Sequence, residues 1–376
     1  MMGEAFNSFT GEERRDLAAF GHMAEKNGFP LSGYLAGRPR GGEYVVALEN
    51  EWSETFRVKH SIAVNSATSG LLAAAFAADL KHLDTFICPA MTMSATAAAP
   101  CFTGATPIFG DIDPDDFGLD VTIPTPSTCK AIFVTNLFGH PARLNMWREI
   151  AVTNDAILIE DNAQSPFATE YGQYAGTVGH IGVFSLNIHK PLQCGEGGMI
   201  VTDDDDLADR MRAFINHGEH ANGRIGLNLR MPEICAVVAL TQLQRAPSII
   251  GQRIEQAEAI IDAIGFIPGL RPPITRANCK HVYYTVPFLI DRSRNAFCNA
   301  LSAEGVPVVE RYAAPLYTMP AFQLPALRAD MMNCPVTDDL WTKRMLYIEN
   351  CAWTFTKRQI KQIGDAFHKA AEAVKL

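Results

Sequence analysis

The 376-residue chain is long enough for a large domain and a smaller one, and 48% hydrophobic with 19% charged residues is the balance of a globular protein. A formal net charge of −9 argues against a nucleic-acid surface, and no apolar run is long enough for a membrane span. The nine cysteines form no CxxC pair and the ten histidines no HExxH, so no disulfide framework and no metal are expected. Scattered thiols, and a polar, acidic start from Met1 to Arg15 that lacks the form of a signal peptide, fit the cytoplasm.

Residues 1–60 read as an N-terminal arm that packs on both domains. A large domain is expected over 61–250 and a small C-terminal α+β domain over 251–376. Ile62–Val64 reads as a strand and Leu71–Leu80, rich in alanine, as a helix. Phe86–Cys88 is a short strand and Met93–Ala99 a helix. Further strands are expected at Thr106–Phe109, Ala131–Thr135, Ala156–Glu160, Ile181–Phe184 and Met199–Thr202, with helices such as Met146–Thr153 and Asp205–Ile215 between them. This alternation indicates an α/β layer structure with a mainly parallel sheet. Gly195-Glu196-Gly197-Gly198 reads as a turn that makes Met199–Thr202 an antiparallel return. A long helix is expected around Ala246–Ala263, and a strand over His281–Ile290.

In open α/β sheets, ligands gather at the carboxyl ends of the strands. The polar residues that follow each apolar run are therefore the candidates. Asn65-Ser66-Ala67-Thr68-Ser69-Gly70 follows Ile62–Val64, Asp161-Asn162-Ala163-Gln164 follows Ala156–Glu160, and Ser185 and Lys190 follow Ile181–Phe184. Taken singly, these are a helix cap, a turn acid and a solvated lysine. Taken together, they supply what pyridoxal 5′-phosphate (PLP) requires. Lys190 offers the amine for a Schiff base, and Asp161 a carboxylate to hold the pyridine nitrogen protonated. The start of a helix at Ser66–Gly70 offers N–H groups and a positive dipole end to a phosphate, with the Ser185 hydroxyl beside it. Gln164 can reach the ring hydroxyl.

The segment Ile159-Glu160-Asp161-Asn162-Ala163-Gln164 resembles the E-D-x-A-Q stretch of the DegT/DnrJ/StrS sugar aminotransferases. Phe184–Lys190 followed by Gly195–Asp203 is similar to their lysine segment, and Asn65–Leu71 to their phosphate-binding turn. Gly104–Pro107 with Asp111–Pro114, Gly226–Glu233 and Tyr312–Tyr317 resemble further family stretches in the same order. The resemblance runs from roughly Leu31 to the end. It implies a fold-type I PLP transferase: a three-layer α/β/α large domain around a mainly parallel seven-stranded sheet, plus the small α+β domain.

The resemblance further implies an amino transfer from glutamate or glutamine to a keto sugar, in a homodimer with shared active sites. Ala67, Thr68, Ser69 and Ser185 would hold the phosphate, with Asp161, Gln164 and Lys190 at the ring. Asn228 would reach the other subunit's cofactor, and Arg230 would cross the same interface. Tyr312 and Tyr317 would line the substrate pocket, where His189 and Arg230 would also bind substrate, with His189 packing beside the cofactor or the partner subunit. One departure is plain. Many relatives stack an aromatic residue on the pyridine ring, where this chain offers only Met91 and Met93; Met93 is the expected platform, through sulfur–aromatic contact. The nearest alternative is a sugar dehydratase with histidine in place of the lysine, but the spacing from Ser185 puts Lys190, not His189, at that position. A PLP- or sugar-binding regulator without catalysis fits poorly with an intact Lys190, Asp161 and Gln164.

Overall fold

Short runs of β-branched and aromatic residues recur through the first half of the chain and become the strands of one sheet. The computed structural model describes residues 40–218, 225–323, 333–349 and 354–376. The strands are β1 (His60–Val64), β2 (Thr85–Pro89), β3 (Thr106–Gly110), β4 (Cys129–Thr135), β5 (Ile157–Asp161), β6 (Ile181–Ser185) and β7 (Gly198–Thr202). Their order is β1-β7-β6-β5-β4-β2-β3. From β6 to β3 all neighbours pair in parallel, and β7 is antiparallel to both β1 and β6. The mainly parallel seven-stranded sheet is present, and its antiparallel member follows the Gly195–Gly198 turn.

Successive side chains on a strand point to opposite faces, and here both faces are dry. On β4, Ile132 and Val134 enter one core while Ala131 and Phe133 enter the other. The first core is covered by α1 (Glu43–Phe56), α4 (Leu144–Thr153), α6 (Glu233–Gln244) and the start of α7 (Ala246–Ile264). The second lies under α2 (Ala67–Ala77), α3 (Ala95–Cys101) and α5 (Asp205–Ile215). These are the three layers.

Two expectations about segments need correction. Residues 43–60 are no arm: α1 buries Val45, Leu48, Trp52 and Phe56 in the large-domain core, where both aromatic rings meet Phe184 at about 5 Å. The rest of the expected arm, 1–39, lies outside the described residues. The expected strand His281–Ile290 begins only at Val286. Its first residues are diverted, because Val282 N–H donates to Gly139 O (2.9 Å) and Tyr284 N–H to Phe138 O (2.8 Å). Gly139, at φ +105°, permits this approach; a Cβ there would lie 2.6 Å from Tyr283 N.

The small domain carries an antiparallel sheet of β8 (Leu270–Arg271), β9 (Val286–Ile290), β10 (Val308–Val309) and β11 (Met345–Ile348), in the order β8-β9-β11-β10. It packs on α8 (Arg294–Ala303), α9 (Lys357–Val374) and the second half of α7 through Ile260, Phe288, Phe297 and Phe367. Helix α7 serves both cores, with Ile249 and Ile250 in the large one and Ala257, Ile260 and Ile264 in the small one. Among the described residues no single helix is long and apolar enough to cross a membrane.

Candidate active site

Because β4, β5 and β6 run parallel, their last residues Thr135, Asp161 and Ser185 emerge at one edge of the sheet. The turn from β1 into α2 opens at the same edge, as does Gly198 at the start of antiparallel β7. Ser66 caps α2, its Oγ accepting from Ser69 N–H at 3.1 Å, and Ser69 Oγ in turn donates to Asn65 Oδ1 at 2.6 Å. The N–H groups of Ala67 and Thr68, on the first turn, have no carbonyl of their own helix to meet. Gly198 lies hard against them: a Cβ there would be 2.7 Å from Ala67 N and 2.7 Å from the Ser66 carbonyl carbon. That leaves backbone, with no side chain, between the helix start and the sheet edge, the form of an anion cradle. Ser185 is buried beside it, its Oγ accepting from Asn187 N–H.

Asp161 is almost wholly buried. Its Oδ2 accepts from Thr96 Oγ1 at 2.7 Å and its Oδ1 from Ala163 N–H at 3.1 Å. Burial raises its pKa above the usual carboxylate value, against which the Thr96 and Ala163 hydrogen bonds and the Lys190 charge act. Lys190 follows a turn closed by its own N–H to Asn187 O, and its Nζ stands 4.7 Å above the centre of the Tyr284 ring. Gln164 accepts from Phe138 N–H at 2.7 Å and donates to Tyr312 Oη at 2.8 Å. Burial first, and the Asp161 charge as well, hold the Tyr312 phenol protonated. The structure thus brings together Lys190, Asp161, Gln164 and Tyr312, with Ser185 and the α2 start at the same sheet edge.

The remaining candidates are placed more loosely. Met93, just before α3, is 54% exposed, whereas Met91 is fully buried among Phe117, Leu137 and Phe138. Of the two, only Met93 has a surface to offer a ring. His189 is exposed, with its N–H on Asn187 Oδ1. The strip carrying Asn228 and Arg230 runs along the β1 edge: Arg230 bridges Val64, Leu229 O accepts from Asn65 N–H at 2.9 Å, and Arg230 Nη1 donates to Asn216 Oδ1. Asn228 is exposed there. Tyr317 is turned elsewhere, its hydroxyl donating to Asp338 and its ring edge-on to Phe109. Among the described residues no group of three His, Cys, Asp or Glu side chains could hold a metal ion.

Thr96, Tyr284 and Phe138 are the site's unforeseen members. Nothing in the sequence marks them, since Thr96 sits in a run of alanines and the other two meet the site only through the fold.

This sheet, with a lysine and a carboxylate at the ends of neighbouring strands, defines a fold-type I aminotransferase. The profile of the DegT/DnrJ/EryC1/StrS aminotransferase family matches residues 36–368, and the chain belongs to that family of PLP-dependent sugar aminotransferases. It is 31% identical to GDP-perosamine synthase of Escherichia coli O157:H7 over 330 residues, covering 82% of this chain and 88% of the relative. It is 32% identical to UDP-N-acetyl-3-dehydro-alpha-D-glucosamine 3-aminotransferase of Acidithiobacillus ferrooxidans, covering 78% of this chain and 80% of that one. Among solved structures, the aminotransferase from Psychrobacter cryohalolentis superimposes with a TM-score of 0.87 at 26% identity over 100% of both chains.

Proposed function

We propose that this edge of the sheet binds PLP and transfers an amino group from glutamate or glutamine to a nucleotide-linked keto sugar. The observation that carries the reading is the placement of Lys190 near enough to Asp161 for their charges to interact, beside a helix start cleared by Gly198. The residues present fit the cofactor. The cradle made by Ala67, Thr68, Ser69 and Gly198 suits a phosphate, and Ser185 adds a hydroxyl. Asp161 suits a protonated pyridine nitrogen, and Met93 offers a thioether to the ring face.

When bound, the cofactor supplies an electron-withdrawing ring that acidifies the C–H bond next to the transferred nitrogen. Lys190 would supply the amine that anchors it and, once released, would serve as general acid and base. Asp161 keeps a proton on the ring nitrogen by its charge. Gln164 and Tyr312 hold the ring's polar edge, and the buried floor of α3 and β4 excludes water. The keto-sugar reading draws on relatives named for perosamine and 3-dehydroglucosamine nucleotides.

The working unit is a homodimer with shared active sites, Asn228 and Arg230 facing the partner. Its support is the exposed strip at the β1 edge, next to the cradle. The chain works in the cytoplasm.

The test is chemical. PLP-saturated protein reduced with borohydride carries the cofactor on the peptide containing Lys190, and Lys190→Ala does not turn over. Label on another lysine, or none, removes the reading. A panel of nucleotide-linked keto sugars, each with glutamate or glutamine, then identifies the acceptor and the donor.

A further inference from the structure

Threonine hydroxyls in this chain commonly give their proton to a backbone carbonyl nearby: Thr103 to Pro100 O, Thr153 to Glu149 O, Thr241 to Val237 O and Thr318 to Pro315 O. Others bond side chains, as Thr122 does Asp120 and Thr337 does Asp111, and three threonines from three separate segments join into one chain. Thr96 Oγ1, in the first turn of α3, donates to Asp161 Oδ2 at 2.7 Å. Thr92 Oγ1, in the loop after β2, lies 2.9 Å from Thr96 Oγ1 and 2.9 Å from Thr135 Oγ1, at the end of β4. Thr92 and Thr96 are completely buried and Thr135 nearly so.

Each hydroxyl has one proton to give. An ionised carboxylate can only accept, so the Thr96 proton points at Asp161. The Thr96 oxygen must then accept from Thr92, and the Thr92 oxygen from Thr135. The charge at the end of the chain fixes the sense of every bond in it. Hydrogen bonds aligned in one sense polarise one another, and in a dry site that strengthens the last of them.

We propose that Thr96, backed by Thr92 and Thr135, is a positioning residue that keeps Asp161 ionised and aimed in a site otherwise hostile to its charge. The inference rests on the PLP reading for its catalytic consequence, but the hydroxyl chain is a property of the protein alone. Without Thr96, the carboxylate loses its only side-chain donor among the described contacts and leans toward protonation. A neutral acid at that place cannot hold a proton on the ring nitrogen by charge.

The titratable groups facing Asp161 are Lys190, whose charge favours the ionised form, and Tyr312, a neutral phenol. The Glu160 carboxylate is turned to the opposite face, toward Gly176 and Gly179. Burial holds the folded-state pKa of Asp161 above its unfolded value, so the folded protein binds the extra proton and stability falls as pH rises through that interval. Thr96→Val pushes the folded value higher still. Its stability deficit against wild type is therefore small in mild acid and widens toward neutral and alkaline pH.

The experiment compares Thr96→Val, Thr96→Ser and Thr135→Val with wild type. Cofactor-free protein is melted at about pH 5 and about pH 8. Holoprotein is labelled with borohydride, titrated by its visible absorption and assayed. The Thr96→Val deficit in Tm is expected to grow with pH. Its absorption titration shifts, and kcat falls about tenfold to a hundredfold with little change in donor KM, the scale of one charge-assisted hydrogen bond. Thr96→Ser restores all three, and Thr135→Val moves them the same way by less. A Thr96→Val deficit equal at both pH values, with an unshifted titration, overturns the proposal, as does failure of the serine to rescue. If wild type itself takes no PLP on Lys190, the cofactor reading has failed, and the pH dependence of the cofactor-free melts still decides the hydroxyl chain.

Discussion

Glu160 and Asp161 are adjacent residues of β5, both buried carboxylates, and the pleat sends them to opposite faces of the sheet. On the α1 and α4 side, Glu160 accepts from the N–H groups of Gly176 (2.6 Å), Val178 (2.8 Å) and Gly179 (2.6 Å) and from Asn136 Nδ2 (3.1 Å). On the other side, among the described residues, Asp161 accepts only from Thr96 and from Ala163 N–H. Burial raises the pKa of both, and the donors oppose it. A carboxylate with its lone pairs filled is fastening a loop, here 176–179. One with lone pairs to spare, beside a lysine, suits the proposed role of Asp161 at the cofactor ring.

The contrast can be broken most directly at Asp161. Asp161→Asn keeps the size and removes the charge; turnover should fall about 10²–10³-fold, with the melting temperature preserved or raised, since a costly buried charge has gone. Near-normal turnover would reduce Asp161 to a turn residue. Next in size is Gly198→Ala, which pushes a methyl into the first turn of α2. PLP affinity, read by equilibrium titration, should weaken by at least about tenfold, because an ångström of displacement is enough to spoil such a cradle; unchanged affinity would place the phosphate elsewhere. The smallest effect on turnover belongs to Glu160→Gln. Its amide opposes N–H groups that need an acceptor, at about 1–3 kcal/mol for each one left unmet. Chemical denaturation should show that loss of stability while kcat per folded molecule stays close to wild type. A collapse of kcat in correctly folded Glu160→Gln would erase the distinction between the two faces.

Much of this site was legible because its parts are local. Asp161 with Gln164, Ser185 with Lys190, and Ser66 with Ser69 each lie within a few residues, at strand ends that apolar alternation reveals. The supporting shell was not legible, because its contacts are long-range. Thr96 and Asp161 meet across α3 and β5, and Tyr284 reaches Lys190 only because its backbone is tied to the Phe138–Gly139 turn. Helix α6 escaped notice for a different reason. Between Ala236 and Leu243 it is buried on most sides, so no apolar stripe marks it. Tyr312 and Tyr317 belong to one motif, yet a short 3-10 turn at Leu316–Thr318 sends the second tyrosine toward Asp338. The motif's order could not show that divergence.

The seam between residues 276–284 and the large domain has a mechanical consequence. Arg276 is clamped by Asp116 and Glu170, and Val282 and Tyr284 are stitched to Gly139 and Phe138. This stretch precedes β9 in the chain but is fastened to the large domain. The small sheet has ties of its own to the large domain, with Arg271 on Asp115 and Leu289 packed among Met91, Phe117 and Phe138. The Tyr284 ring over Lys190 is thereby set by the large domain, a fixed jaw beside the lysine although the strand that follows it belongs to the small sheet.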